Sequence, residues 1–163
     1  TEMKKFILAS VIIIMVLGLT QSCLAEKKWG IGLGTHYKDN CLSYVASFRT
    51  NVGLIMLDSS LDYCPPTDEI SYVLTPRISL FVNILGTRIY AGAGIEKSYI
   101  QWTSGTSEWS NLVYILQGGW EIFHLGAVSL SLDAQYELPV SPLQTININP
   151  ESITFGARLF LYF

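Results

Sequence analysis

The chain is poor in the residues that usually carry catalysis or metal binding. Its 163 residues include two histidines and three cysteines. There is no Cys-x-x-Cys pair and no histidine pair at metal-ligand spacing, so the signature of a zinc site is missing. No metal or other cofactor is expected. Gly92-Ala93-Gly94 is followed by no helical pattern, which removes a nucleotide-binding loop. Ten Lys and Arg stand against thirteen Asp and Glu, and the basic residues form no stripe, so nucleic acid is not the expected partner. Long apolar runs are scarce as well. The longest, Phe6 to Leu19, falls short of the about 20 residues that a spanning helix needs. A chain of this composition that lives in a membrane must live there as strands.

Residues 3–25 read instead as a secretory leader. Met3-Lys4-Lys5 is a basic start, Phe6 to Leu19 the apolar run, and Cys23-Leu24-Ala25 ends on small residues. Cleavage is expected after Ala25, with Thr1 and Glu2 preceding the Met3 start. Lipidation at Cys23 is the rival processing, but Thr20-Gln21-Ser22 matches poorly the residues that usually precede a lipidated cysteine. Residues 26–163 are one domain's worth of chain and keep eight basic and twelve acidic side chains.

What the remaining sequence has in quantity is alternation. Eight segments show period-two patterning: 28–37, 42–50, 53–63, 70–82, 87–100, 111–122, 128–138 and 152–163. Their lengths cluster near the about 9–11 residues of a tilted membrane strand. Connections around Asn51-Val52, Asn83 to Gly86 and Phe123 to Ala127 are tight. Those at 64–69, 101–110 and 139–151 are longer and polar, and only 38–41 is short on that side. Short turns on one side and long loops on the other predict an all-β, eight-stranded antiparallel up-and-down transmembrane β-barrel, with both termini on the turn (periplasmic) side.

Alternation alone also fits a soluble lipocalin-like barrel. Side-chain size decides the direction. "VSLSLDAQYEL" sets Val128, Leu130, Leu132, Ala134, Tyr136 and Leu138 against Ser129, Ser131, Asp133, Gln135 and Glu137. An eight-stranded barrel has an interior just wide enough for side chains to fill, so the large apolar sets are expected outside, in lipid. Aromatic positions agree with two interfacial girdles. Trp29, Phe48, Trp120 and Phe163 fall toward the turn side, and Tyr37, Tyr44, Tyr63, Tyr72, Tyr99, Tyr114, Tyr136 and Phe155 toward the loop side. Pro76 lacks a ladder donor and is expected to mark a bulge.

The same parity places Arg49, Arg77, Arg88 and Arg158 inside with Asp58, Glu96, Glu121, Asp133 and Glu137. Four cations against five acids predict a paired network rather than a charged pore. Gly30, Gly32, Gly34, Gly92 and Gly94 leave room for it, with Arg77 facing Gly92 if Val82 pairs with Thr87. A hairpin turning at Val52-Gly53 brings Ser47 opposite Asp58, Ser43 opposite Asp62, and Cys41 opposite Cys64. In an oxidising compartment that pair predicts a disulfide. His36 with Ser43 or Asp39 could form a nucleophile–base set, but an ordinary interfacial histidine is the expected reading, and His124 is placed in a turn.

The stretches "TPRISLFVNILGTRIYAGAGIE", "LQGGWEIF", "VSLSLDAQYEL" and the terminal "ITFGARLFLYF" resemble the small outer-membrane β-barrel superfamily of OmpA- and OmpX-type proteins, over residues 28–163. The resemblance implies a monomeric barrel in the bacterial outer membrane, in contact with lipid and lipopolysaccharide. It also implies that Phe155, Leu159, Leu161 and Phe163 form the terminal signal read by the barrel assembly machinery. Lipid A deacylases of this superfamily carry a late His-x-Ser motif. Here that region reads Tyr136-Glu137-Leu138-Pro139-Val140-Ser141, without a histidine, and the catalytic pattern of the related palmitoyltransferases is also missing.

The expected role is therefore non-enzymatic: a structural or surface-interaction protein working through its exposed loops. Trp102 and Trp109 in "QWTSGTSEWS" are candidate recognition residues for an extracellular protein or surface ligand, or headgroup anchors. The 139–151 loop could present an edge for strand addition. A narrow permeation path gated by Arg77, Arg158, Glu121 and Asp133 is the alternative, and a lipid-modifying enzyme near His36 a third. Alkylation of folded, non-reduced protein is expected to leave Cys41 and Cys64 unmodified; two reactive thiols would overturn the pairing.

Overall fold

Where one face of an extended chain must meet different surroundings from the other, alternating side chains hold it as a strand, and the computed structural model contains ten. It describes residues 29–38, 40–52, 54–84, 87–138 and 153–163. The leader, Cys23, Asp39 and the 139–151 loop lie outside the described residues. The strands are β1 (Trp29–Lys38), β2 (Cys41–Val52), β3 (Ile55–Cys64), β4 (Ile70–Asn83), β5 (Ile89–Glu96), β6 (Tyr99–Trp102), β7 (Ser107–Trp109), β8 (Val113–Leu125), β9 (Val128–Leu138) and β10 (Ile153–Tyr162).

Neighbours in sequence pair antiparallel, and a ladder from Gly30↔Tyr162 to Tyr37↔Phe155 joins β1 to β10 and closes the sheet. β5 and β6 form one stave, because β4 meets both in a single register: Arg77↔Glu96 on one side of the break and Leu74↔Tyr99 on the other. β7 pairs only with β6, as the return arm of a hairpin beside the ring. Eight staves thus make a closed antiparallel up-and-down barrel. Trp29, Val52 and Tyr162 mark its turn end, and Lys38, Cys41 and Cys64 its loop end.

The partition of side chains is inverted relative to a water-soluble protein. Among the described residues, seven buried side chains are apolar and sixteen are polar or charged. Ile31, Leu33, Leu80, Leu116 and Leu159 are instead about half exposed on the outer surface. At the turn end Trp29 stacks on Phe163 with ring centroids 5.0 Å apart and lies 6.3 Å from Phe48. A second aromatic row, Tyr63, Tyr72, Tyr99 and Trp109, runs across β3, β4, β6 and β7 at the loop end.

Four local expectations need correction. The second hairpin turns one residue later, pairing Val52 with Ile55, so Ser47 faces Ser60 and Asp58 faces Arg49. Cys41 is then no longer directly opposite Cys64, and the disulfide between them runs diagonally, with Cα atoms 7.1 Å apart. The β4–β5 connection is also longer than four residues, held by Ile84 N–H to Ile89 O and Thr87 N–H to Ile84 O bonds. Val82 therefore pairs with Ala91, and Phe81 rather than Arg77 faces Gly92. Pro76 marks no bulge. It lies opposite the Lys97-Ser98 interruption, where no continuous ladder needs its missing donor, and the register is the same on both sides. The register shifts instead between Ile70 and Tyr72, where β4 meets β6, and a bulge lies between Glu121 and Phe123 on β8. It turns Ile122 and Phe123 outward together and carries β8 on to Leu125, so His124 is a strand residue.

The closing seam is fitted by glycine. A Cβ on Gly30 would lie 2.7 Å from the Tyr162 ring, and one on Gly32 2.5 Å from the Phe160 ring. At Gly34 it would meet the Ala157 carbonyl oxygen at 2.1 Å, a backbone atom that cannot swing aside. Overpacking of this kind costs about 1–3 kcal/mol. Gly34→Val is expected to reach or exceed the upper end and to prevent formation of the compact species seen by unboiled electrophoresis. Ala93→Val, on the outer face, should migrate as the parent.

Candidate functional site

Inward-facing positions of all eight staves supply a continuous line of charge along the lumen. At the turn end Arg49, fully buried, donates from Nε and Nη2 to Asp58 Oδ2 at 2.9 and 2.8 Å and from Nη1 to Glu121 at 3.0 Å. Its guanidinium lies 4.0 Å from the Phe160 ring centroid and 4.9 Å from that of Tyr90, a stacking arrangement that suits a planar, weakly hydrated cation. Tyr162 donates its hydroxyl to Glu121.

Asp58 is shared. Arg158 of β10 crosses the lumen to reach it at 3.1 Å, donates to Asp133 at 3.0 Å, and meets Ser47 Oγ at 3.2 Å. Asp133 also accepts from Gln117 and Gln135, each at 3.3 Å. Beyond it stands His36. Its Nε2 is 3.4 Å from Asp133 and its Nδ1 2.6 Å from Asp62, so the ring is held between two carboxylates. Arg77 completes the line, bonding Asp62 at 3.2 Å and Glu96 at 2.7 Å. From Glu121 to Glu96, acid alternates with base without a gap.

Of the residues expected inside, Arg49, Asp58, Arg77, Glu96, Glu121, Asp133 and Arg158 come together in this line. Glu137 does not join it. It pairs with Lys38 at the loop end, half-buried. Arg88 lies in the turn before β5, half-exposed and in no ion pair with the described residues. Its carbonyl accepts from Glu121 N–H at 2.9 Å, so its backbone continues the β5–β8 register while its side chain stays outside the line of charge.

His36 is not interfacial but 1% exposed, and Asp62 is a central partner that the charge pattern alone did not select. The signal for His36 was present: it continues the inward parity of Gly30, Gly32 and Gly34. Ser43 Oγ donates to the His36 carbonyl at 3.3 Å rather than to its ring, so Ser43 and His36 form no nucleophile–base pair. Tyr90, Phe160 and Tyr162, buried around Arg49, share the inward parity of Arg88 and Arg158 but carry no charge to mark them as members of the site.

Above Arg77 the lumen opens into a cavity of about 290 Å³ at the loop end. Its floor is His36, Asp62, Arg77 and Glu96, and its rim carries the Lys38–Glu137 pair. Hydroxyls of Ser43, Thr75, Ser98 and Thr154 line the walls beside the disulfide. Trp102 and Trp109 stand apart from it on the β6–β7 hairpin. Trp109 packs on Tyr99 at 5.2 Å and under Lys97 at 5.6 Å, and Trp102 pairs with Ile70. No group of His, Cys, Asp and Glu among the described residues is arranged to hold a metal ion.

No family model matches the chain, and no curated protein matches it. Among solved structures it is similar to a chain described as "De novo design of transmembrane beta-barrels", at 9% identity over 84% of this chain and 96% of that one, with a TM-score of 0.49. That likeness adds nothing to what the strand pairing itself establishes.

Removing one member of a buried pair leaves its partner uncompensated, at about 3–5 kcal/mol. Arg158→Leu takes one of the two arginines from Asp58 and the only arginine from Asp133 and is expected to lower stability by about that much, measured from denaturant midpoints of detergent-refolded protein. Arg88→Leu should change it by under about 0.5 kcal/mol.

Proposed function

We propose that this chain is a non-enzymatic, monomeric β-barrel of the bacterial outer membrane, with both termini periplasmic, whose lumen is a plug and whose loop end acts in structure or surface interaction. The observation that carries the reading is the inverted partition of side chains. A closed barrel satisfies all ladder hydrogen bonds internally, which lets it sit in lipid, and its half-exposed Leu, Ile and Val belt has no favourable place in water. The aromatic groups at both ends suit the two headgroup regions. Lipid and lipopolysaccharide are then the surroundings of the belt, and the terminal Phe155, Leu159, Leu161 and Phe163, all on the outer face, suit recognition by assembly machinery.

The lumen argues for a plug rather than a path. Arg49 and Arg158 both donate to Asp58 across its middle, and all three are almost wholly buried. Opening a passage requires desolvated charges to part, at a cost of several kcal/mol for each. With the interior occupied, the working surface is the loop end, where the β6–β7 hairpin projects Trp109 beside Lys97. Trp102, half-buried in the same hairpin, fits an anchoring role, and Trp109 a contact with an extracellular protein or surface ligand.

Refolded protein should migrate faster unboiled than boiled, and in planar bilayers it should give no discrete conductance steps. A folded protein that stays soluble without detergent would replace the membrane reading with a secreted binder. Conductance steps that change when Arg158 is neutralised would replace the plug with a gated permeation path.

A further inference from the structure

The loop-end cavity has features that neither a plug nor an anchor requires. We propose that it is a binding site for a small organic cation whose head is a primary ammonium group.

The acceptors come first. Arg77 bonds Glu96 through Nε and Nη2, and both bonds fall on Oε2. Oε1 accepts no hydrogen bond among the described residues, although the side chain is only 10% exposed. Thr154, 8% exposed, lines the same cavity, and its hydroxyl has no partner among the described residues. Neither atom is sealed from the cavity, so its wall offers a ligand's donors two open acceptors, one of them ionised.

Charge sets the sign of the ligand. Three carboxylates line the cavity, Asp62, Glu96 and Glu137, against the two fixed cations Lys38 and Arg77. Both cations are already engaged, Arg77 by Glu96 and Asp62 and Lys38 by Glu137. His36 is held by Asp62 and by Asp133. An anion would find no free base, whereas a primary ammonium, with three donors and no acceptor, meets open acceptors.

Shape and polarity set the rest. Val73 is the one aliphatic side chain of the lining and the disulfide its other apolar surface, so a large hydrocarbon tail has nothing to rest on. A cavity of about 290 Å³ lies at the small end of the about 300–1,000 Å³ usual for ligand pockets. That volume limits the ligand to a few carbon atoms beyond its ammonium. The rim pair Lys38–Glu137 is about one-third exposed on each partner; pairs so exposed hold weakly, so it can part to admit a guest.

The test is a titration of isotopically labelled, micelle-refolded protein with n-propylammonium, read from backbone amide shifts, against 1-propanol as the uncharged counterpart. Saturable shifts at Glu96 and Thr154 are expected with the amine and none with the alcohol. Glu96→Gln, which removes the charge-assisted bond, should weaken binding about tenfold or more, Thr154→Val about threefold, and His124→Ala at the turn end not at all. Glu96 also supports Arg77, so the Thr154→Val variant, which keeps side-chain shape, stands as an independent readout if Glu96→Gln fails to fold. Equal shifts from the alcohol, no saturable shift from the amine, or binding indifferent to both substitutions would overturn the proposal. Each of those results leaves the membrane reading untouched, since that reading rests on the outer surface.

Discussion

Asp58 is the pivot of the interior. It is the one carboxylate bonded by two buried arginines, Arg49 from β2 and Arg158 from β10. A guanidinium removed from water is costly unless its donors are met, and each of these two depends on Asp58 for part of its partners. Every other pair along the lumen is tied to this junction: Glu121 through Arg49 on one side, Asp133, His36, Asp62 and Arg77 through Arg158 on the other. The ion pairs do not drive closure of the barrel, which the ladders accomplish. What they do is make one set of cross-lumen distances far better than any other, and so select one register for each seam.

The glycines of β1 are the complement of that arrangement. Arg158, Phe160 and Tyr162 alternate along the inner face of β10, and opposite them on β1 stand Gly34, Gly32 and Gly30. Large side chains on one side of the seam need bare backbone on the other, because the lumen has no further volume to give. A shift of two residues along the seam would keep inside and outside unchanged but would take Arg158 away from Asp58. Glycine spacing and charge spacing thus enforce the same register by independent means, one steric and one electrostatic.

That double constraint explains what could be read from the sequence. Parity depends only on period two, and the contrast between Leu, Ile and Phe on one face and Ser, Asp and Gly on the other is strong in β1, β9 and β10. Inside and outside were therefore legible. Partners were not, because a hairpin turn displaced by one residue moves every pair by two positions and leaves parity intact. Placing the turn at Val52-Gly53 gave Ser47 to Asp58, whereas the true turn gives it Arg49. The two-residue displacement converts an unremarkable Ser–Asp neighbour into the central ion pair, so a search for opposite charges across the hairpin was the missing criterion. Other features had no sequence signal of that kind. The bulge at Glu121–Phe123 interrupts an otherwise regular alternation, and the Lys97-Ser98 break is visible only as the ladder that Pro76 does not support. For His36 the parity points inward, but its place near the loop end of the first strand points to the interface, and only the partners across the lumen decide between them.

The two ends of the lumen are built from different materials, and the difference bears on where a ligand could sit. Toward the turn end, Met56, Phe81, Tyr90, Phe160 and Tyr162 surround Arg49, and Phe81 and Phe160 are completely buried. Aromatic rings fill volume and offer their faces to a cation, so this end has no space to give, although Asn51 Oδ1 and Ser129 Oγ are buried there without a partner. Toward the loop end the inner residues shrink to Ser43, Thr75, Ser98 and Thr154, which leave space while supplying hydroxyls. The disulfide lies diagonally beyond the last β2–β3 pair, Tyr44↔Tyr63, where ladder hydrogen bonds no longer hold the wall. A covalent link at that position keeps the rim of the cavity in place without filling it with side chains. Small polar residues, a free carboxylate oxygen and a stapled rim are more than a plug needs, because the plug is already complete at Arg158.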